Sequence, residues 1–516
     1  MASPSLIGRP GRALVLVGFM GAGKSTAART LASDALDTDA MVEAELGAPV
    51  ATIFERDGES SFREAEERCA LKALNLASAG QGGGIVSLGG GALLSPVLRE
   101  ALKAHTVVHL ELDEEGCWSR VRSSSFVRPL AADRERFGAL YEERRSLYSD
   151  AADVVLPSDG VRSLRAAMPS IDLLSDAPDG TRLAWASSDS GAYPVFVGQR
   201  LLAAKPLRPE GRFVLITDSN VAPLHAEAFT GAVNAIELEP GEENKDLEAC
   251  AHAWSQLAQA GVTRDDRVFA LGGGVVGDIA GFVAAAYQRG IPVVHFPTTL
   301  VAQVDSALGG KTGVDLPEGK NYVGAYHQPA AVISDFDVLR TLPAEEHSAG
   351  MAEVIKTALI SGGPLWDSVA AGRFGISEVF ECVRTKLSVV ASDERDGGRR
   401  QVLNLGHTVA HAIETATGYG RLRHGEAVSI GLMAALRLSG ADELRNTVAD
   451  LLVGAGLPLT ISGVDCDEIV ALTKADKKAR ADGTVPFVLC DRPGNATHGH
   501  PVPDAELRAA VKEVCR

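Results

Sequence analysis

The chain has 516 residues, 46% hydrophobic and 23% charged, an ordinary globular composition in a chain too long for one hydrophobic core. Its formal net charge of −17 argues against nucleic-acid binding, which requires a basic surface, so any anionic ligand has to be held by local cations. No uncharged apolar run reaches the roughly 18 residues of a membrane span, and the first residues lack an apolar export signal, so the expectation is a cytoplasmic protein with no membrane partner.

The first element is the apolar strand pattern ALVLV at 13–17. It runs into residues 18–25, GFMGAGKS, which match G-x-x-x-x-G-K-S, and a helix-like TAARTLA follows. Strand, glycine turn and helix in register predict a phosphate cradle. Gly21, Ala22, Gly23, Lys24, Ser25 and Thr26 would hold ATP, with Lys24 charging the β/γ oxygens and the Ser25 hydroxyl on Mg²⁺.

Downstream stand Asp37 and Asp39 in LDTDA, then Ile53-Phe54, Gly58-Glu59, Phe62-Arg63 with Glu66, and SLGGG at 87–91. In this order they resemble the shikimate kinase family over nearly all of residues 1–165. The resemblance implies that Asp39, Arg63, Gly89, Gly90, Gly91 and Arg144 hold shikimate. A hydroxylated acid needs arginine forks for its carboxylate and an aspartate to orient the attacking hydroxyl, which gives Asp39 a catalytic role. Arg145 is a rival to Arg144. Residues 124–130 resemble the family's lid, with Arg128 reaching over the ATP phosphates as a catalytic cation, and Asp37 is expected to act on Mg²⁺ through water.

Residues 175–191, SDAPDGTRLAWASSDSG, form the strongest linker signal. The expected organisation is a kinase-like domain at 1–172, a linker at 173–190, a dinucleotide-binding α/β part at 191–340 and a helical part at 341–516. The fold class is therefore α/β, a P-loop domain with a parallel sheet ahead of a second nucleotide-binding unit whose C-terminal half is helical. Seven scattered cysteines without a C-x-x-C pair read as reduced, mostly buried thiols.

In the second half, GGGVVGD at 272–278 follows the strand VFAL and opens a helix-like segment, a nominal dinucleotide turn. After it come HFPTTL at 295–300, VDSALGGK at 304–311, GKNYVG at 319–324, AEVIK at 352–356, LNLGHTVAHAIE at 403–414 and HGEAV at 424–428. This series closely resembles the 3-dehydroquinate synthase family across residues 181–516.

That resemblance implies a zinc site, or one for another divalent cation such as cobalt, at Glu353, His407 and His424, with His411 as runner-up. It assigns NAD to Asp218, Glu242, Lys245, Gly274, Val275, Val276, Gly277, Asp278, Thr298, Thr299, Lys311, Lys320 and Thr341. It also assigns the phosphate and carboxylate of the substrate, 3-deoxy-arabino-heptulosonate 7-phosphate, to Lys311, Asn321, Lys356, Lys386, Arg400, Asn404 and His411, with Arg289 supplied by the neighbouring subunit of a homodimer. Lys356, His411 and Asp305 are the implied catalytic groups. One of Lys477 and Lys478 matches a further family element, and Asp396 stands where the family has a glutamate.

The implied reaction oxidises a secondary alcohol with NAD⁺, eliminates phosphate beside the new ketone, reduces the ketone again and closes a ring, giving 3-dehydroquinate with no net redox. A cyclase acting on a sugar phosphate without a carboxylate is the rival for this half. Lys386 and Arg400 weigh against it, because their second anion site would be left unpaired. Gluconate or nucleotide kinases are the rivals for the first half, against which Arg63 and the DTD and GGG elements weigh.

Overall fold

The computed structural model describes residues 11–123, 133–159, 161–474 and 486–515. Arg128 with the expected lid, and Lys477 and Lys478, lie outside the described residues. The chain divides into two compact units, residues 1–185 and 186–516.

The first unit is built on parallel strands in the order Leu36–Asp37, Ile85–Ser87, Leu14–Val17, Thr106–Glu111, Val154–Pro157 and Arg182–Ser187. Leu14–Val17 is buried at every residue, as a central parallel strand covered by helices on both faces must be. The chain leaves it through Gly18 and Gly21 at φ 146° and 91°. A Cβ on either would come 2.7 Å from a backbone carbonyl, of Leu110 or Cys117, so only glycine lets the turn pass. The helix Lys24–Leu31 follows. Val50–Ser78 runs as one long helical segment, broken at Gly58, whose φ of 81° and ψ of 167° change its direction ahead of Arg63.

The second unit is built on parallel strands in the order Ala192–Gly198, Ala331–Asp335, Val293–Pro297, Arg267–Gly272, Phe213–Asp218 and Asn234–Leu238. The helix Gly274–Ala286 starts directly after Arg267–Gly272, at the carboxyl edge where α/β sheets bind ligands. From Ala344 onward helices dominate, including Ala344–Ser361, Ile376–Ser392, His407–Ala416 and His424–Leu438. The exception is an antiparallel hairpin, Pro486–Cys490 with Ala496–Pro501, inside the half expected to be helical. Its signal is legible afterwards: the apolar run PFVLC is followed by a Pro-Gly-Asn turn. Among the described residues no helix is long and apolar enough to cross a membrane.

Candidate active sites

In the first unit Lys24 is buried, and its ammonium donates to the carbonyls of Gly18 at 2.8 Å and Phe19 at 3.2 Å, across the mouth of the glycine turn. The Ser25 hydroxyl lies 3.5 Å from that of Ser87. Beside this cradle, Asp39, Arg63 and Glu66 converge on 89–91: a Cβ on Gly89 would meet Asp39 Oδ1 at 2.6 Å, and one on Gly91 would strike the Arg63 guanidinium. Arg63 is held by Glu66 at 2.6 Å and Glu59 at 3.0 Å. Burial raises the Glu66 carboxyl, against the pull of the Arg63 charge and, more weakly, of Arg144.

Arg144 is buried, its Nε without a hydrogen-bond partner, whereas Arg145 is partly exposed and pairs with Glu142 at 3.3 Å. Of the two rivals, Arg144 is thus the one turned inward. Asp37 caps the helix Thr38–Leu46, its Oδ1 accepting from the backbone N–H of Asp39 at 3.1 Å.

In the second unit, three helices bring Glu353, His407 and His424 together, one ligand atom from each lying within 4.8 Å of the others. The Nε2 atoms of His407 and His424 stand 3.6 and 3.5 Å from Glu353 Oε1. Each ring turns its other nitrogen to an acceptor: His407 Nδ1 to the Leu405 carbonyl at 3.2 Å, His424 Nδ1 to Glu414 Oε1 at 3.4 Å. His411 is exposed, its ring 5.4 Å from that of His407, and it falls outside the three-residue cluster.

Lys356 is 1% exposed and pairs with Glu353. Burial works against ionising Glu353, but Lys356 and the two imidazoles hold its carboxyl well below the ordinary range. Burial and the Lys356 charge push His407 down, which keeps its Nε2 lone pair available, while Glu353 and Glu414 overcome burial to raise His424 to about 10. Neither Glu353 oxygen has a well-aligned hydrogen-bond donor.

Lys386 donates to the Asp305 side chain and carbonyl, both at 2.6 Å. Burial would raise Asp305, yet Lys386 and Lys356 together keep it below its usual value. Arg400 is 2% exposed and donates to the carbonyls of Glu394 and of Gly309, the latter at 3.1 Å. Asn404 donates to the Gln401 carbonyl at 3.1 Å. Asp396 sits at φ 62° and takes Lys311 at 2.7 Å. Arg289 and Asn321 are exposed, at φ 70° and 54°.

Of the residues assigned to the dinucleotide, Lys245, Thr298 and Thr299 lie against the turn after Arg267–Gly272, through Asp278, the Gly272 carbonyl and Gly273. Lys245 is buried and lies 2.7 Å from Asp278, 3.5 Å from Glu242 and 4.0 Å from Asp315. Lys320 lies 3.3 Å from Glu242 and 3.4 Å from Glu414. Asp218 closes an Asx turn, its Oδ1 accepting from the N–H of Asn220 and Val221 at 2.9 Å each. The Thr298 hydroxyl is buried without a partner, Thr299 Oγ1 accepts from Ala302 N at 3.2 Å, and the Thr341 hydroxyl faces His225 at 3.0 Å. The 274–278 segment, with Val275, Val276 and Gly277, forms the first turn of the helix Gly274–Ala286.

Sequence reasoning gave no role to Glu414 or Glu394, both buried. Glu414 is spaced seven from His407 on one helix, so both share a face, and that spacing was the available signal. Glu394 accepts from Ser190 and Gln328, contacts 204 and 66 residues apart in sequence, which no local pattern announces.

Family models match at residues 20–171 for shikimate kinase, 235–349 for the N-terminal and 350–479 for the C-terminal part of 3-dehydroquinate synthase. The chain is 43% identical over 333 residues to the 3-dehydroquinate synthase of Symbiobacterium thermophilum, spanning 58% of this chain and 92% of that protein. It is similar in structure to 2-deoxy-scyllo-inosose synthase complexed with carbaglucose-6-phosphate, NAD⁺ and Co²⁺, at 26% identity and TM-score 0.58 over 65% of this chain and 100% of that one. A 2-epi-5-epi-valiolone synthase from Streptomyces hygroscopicus, with NAD⁺ and Zn²⁺ bound, gives 27% identity and TM-score 0.58 over 64% and 98%. The chain belongs to the 3-dehydroquinate synthase family and carries a shikimate kinase domain ahead of it, two shikimate-pathway activities on one polypeptide.

Proposed function

We propose that the second unit converts 3-deoxy-arabino-heptulosonate 7-phosphate to 3-dehydroquinate and phosphate with NAD and a zinc-class cation, and that the first transfers the γ-phosphoryl of MgATP to shikimate. The observation that carries the first assignment is the convergence of Glu353, His407 and His424 beside Lys356, Asp305 and Lys386.

The donor set fits a cation. One carboxylate and two imidazoles, each ring with Nδ1 facing an acceptor and Nε2 facing Glu353, form a borderline-hard set in which a bound cation would take the place of the proton that Glu353 and Glu414 hold on His424. The dinucleotide also fits, since the glycine turn admits close backbone approach and the buried Thr298 hydroxyl stands without a partner. When bound, the cation polarises the substrate alcohol and NAD takes up and returns a hydride.

The chain's own residues do the rest. Lys356, fully buried, keeps Glu353 ionised and offers a cation to substrate oxygen. Lys386 and Arg400 form the second anion subsite, for the carboxylate, with His411, Asn404, Asn321 and Lys311 at the phosphate and Asp305 toward ring hydroxyls. Residues 191–340 serve the dinucleotide, with Asp305, Lys311 and Asn321 reaching the substrate as well, and 341–516 serve the cation and substrate. Arg289 sits on two consecutive left-handed residues, Gln288 at φ 49° and itself at 70°, a strain that a role in a neighbour's site would explain, so a homodimer is part of this reading. In the first unit Lys24 and Ser25 serve MgATP, Arg63 and Arg144 clamp the shikimate carboxylate, Asp39 orients the hydroxyl and Arg128 closes over the phosphates. Scattered free thiols suit a cytoplasmic setting.

The test is to give the zinc-loaded protein the heptulosonate phosphate with NAD⁺, following phosphate release and product mass beside a chelator-treated control. Chelator-sensitive release with dehydroquinate as product is expected. Turnover of sedoheptulose 7-phosphate instead would overturn the substrate assignment in favour of the sugar-phosphate cyclases.

A further inference from the structure

Glu414 is buried at 3% side-chain exposure, and the roles assigned above leave it unused. Its Oε1 meets two nitrogen groups from two other elements, His424 Nδ1 and Lys320 Nζ, each at 3.4 Å. Lys320 stands on the strand Gly319–Tyr326, and its ammonium also lies 3.3 Å from Glu242 in the loop assigned to the dinucleotide. Glu242 neighbours Lys245 at 3.5 Å, and Lys245 holds Asp278 at 2.7 Å on the helix that opens at the glycine turn. A continuous line of polar and charged groups therefore runs from one of the three cation ligands to the dinucleotide turn.

An imidazole ligates well only when its ring orientation and tautomer are fixed, and the partner of its second nitrogen fixes both. His407 has a neutral partner for this, the Leu405 carbonyl, whereas His424 has a buried carboxylate. We propose that Glu414 is a positioning residue: it holds His424 with Nε2 turned toward Glu353 and, through Lys320, ties that ligand to the dinucleotide loop. This rests on the cation and NAD reading given above.

The comparison is between full-length wild type, Glu414→Gln and Lys320→Met, all stripped of metal and checked for native circular dichroism. Three quantities are read: zinc affinity against a chromophoric chelator, the visible spectrum of the cobalt-loaded protein, and NAD⁺ affinity with and without zinc. Glu414→Gln is expected to weaken zinc by about 10- to 100-fold and to shift the cobalt bands, a change in ligand geometry that a merely structural role would not produce. Lys320→Met is expected to keep zinc affinity within about threefold yet lose the dependence of NAD⁺ affinity on zinc, which in wild type amounts to at least about fivefold.

Wild-type zinc affinity with an unchanged cobalt spectrum in Glu414→Gln would overturn the positioning role. A wild type that binds zinc and NAD⁺ with no mutual dependence would overturn the tie to the loop. A wild type that takes up no zinc overturns the cation reading itself, and this inference with it, so the wild-type arm separates the two failures. Should Glu414→Gln not fold, Glu414→Asp carries the same comparison, with a smaller loss of zinc affinity expected and an unchanged affinity and spectrum counting against the proposal.

Discussion

His295 stands beneath the dinucleotide turn, 5% exposed, with Gly277 so close that a Cβ there would lie 3.7 Å from its Nδ1. Burial, and then the neighbouring His327, drive its pKa down from 6.5 to about 4. Between those values the folded chain binds fewer protons at this site than the unfolded chain does. The stability this ring contributes is therefore whole above pH 6.5 and is lost as the pH falls toward 4. At about 1.4 kcal/mol per pKa unit the loss is about 3 kcal/mol. His295→Gln removes the titration. Denaturant unfolding near neutrality and again near pH 4 should show a smaller acid loss in the variant, by about that amount, and equal losses in the two proteins would assign the acid sensitivity elsewhere.

The helices His407–Ala416 and His424–Leu438 deliver two of the three proposed cation ligands, and their spacing depends on glycine. A Cβ on Gly431 would overlap the Gly406 carbonyl, and one on Gly406 would come 2.9 Å from Leu432 N. Gly431→Ala should thus cost about 1–3 kcal/mol by overpacking and lower zinc affinity at the same time, whereas Gly454→Ala, with open space around it, should be neutral or slightly stabilising. Denaturation midpoints and zinc titration of both variants check this. The same crossing explains what the sequence could and could not disclose. GFMGAGKS was readable because strand, turn and helix are contiguous, so local spacing alone dictates the cradle. Glu353, His407 and His424 were reachable only by family resemblance, since no spacing rule links a glutamate to histidines on two later helices. The Glu394 carboxylate, bound to Ser190 and Gln328, and the inward turn of Arg144 rather than Arg145, are decided by tertiary packing that neighbouring residues do not encode. The hairpin Pro486–Cys490 with Ala496–Pro501 was missed because a short apolar run fits a buried helix as well as a strand.

At the scale of the chain, two activities on anionic substrates belong to a protein of net charge −17, and each unit holds buried cations at its proposed site: Lys24 in one, Lys356, Lys386 and Arg400 in the other. The first unit holds an apolar cluster from Ala13 to Tyr148, and the second one from Val214 to Val314. Each of these cations is also partnered within its own unit, Lys24 by the Gly18 and Phe19 carbonyls, Lys356 by Glu353 and Lys386 by Asp305. A lesion in one site should therefore leave the other's chemistry intact. Lys24→Ala removes the cation proposed to face the β/γ oxygens and should lower shikimate phosphorylation by on the order of 100- to 1,000-fold, with phosphate release from the heptulosonate phosphate held within about twofold. Stripping zinc while supplying excess Mg²⁺ should do the reverse, abolishing phosphate release and sparing phosphorylation. Both activities are measured on one preparation of the full-length chain. Loss of both under either treatment would mean that the two sites depend on each other, and separate buried cations would then be an insufficient account of how this chain keeps two anion chemistries apart.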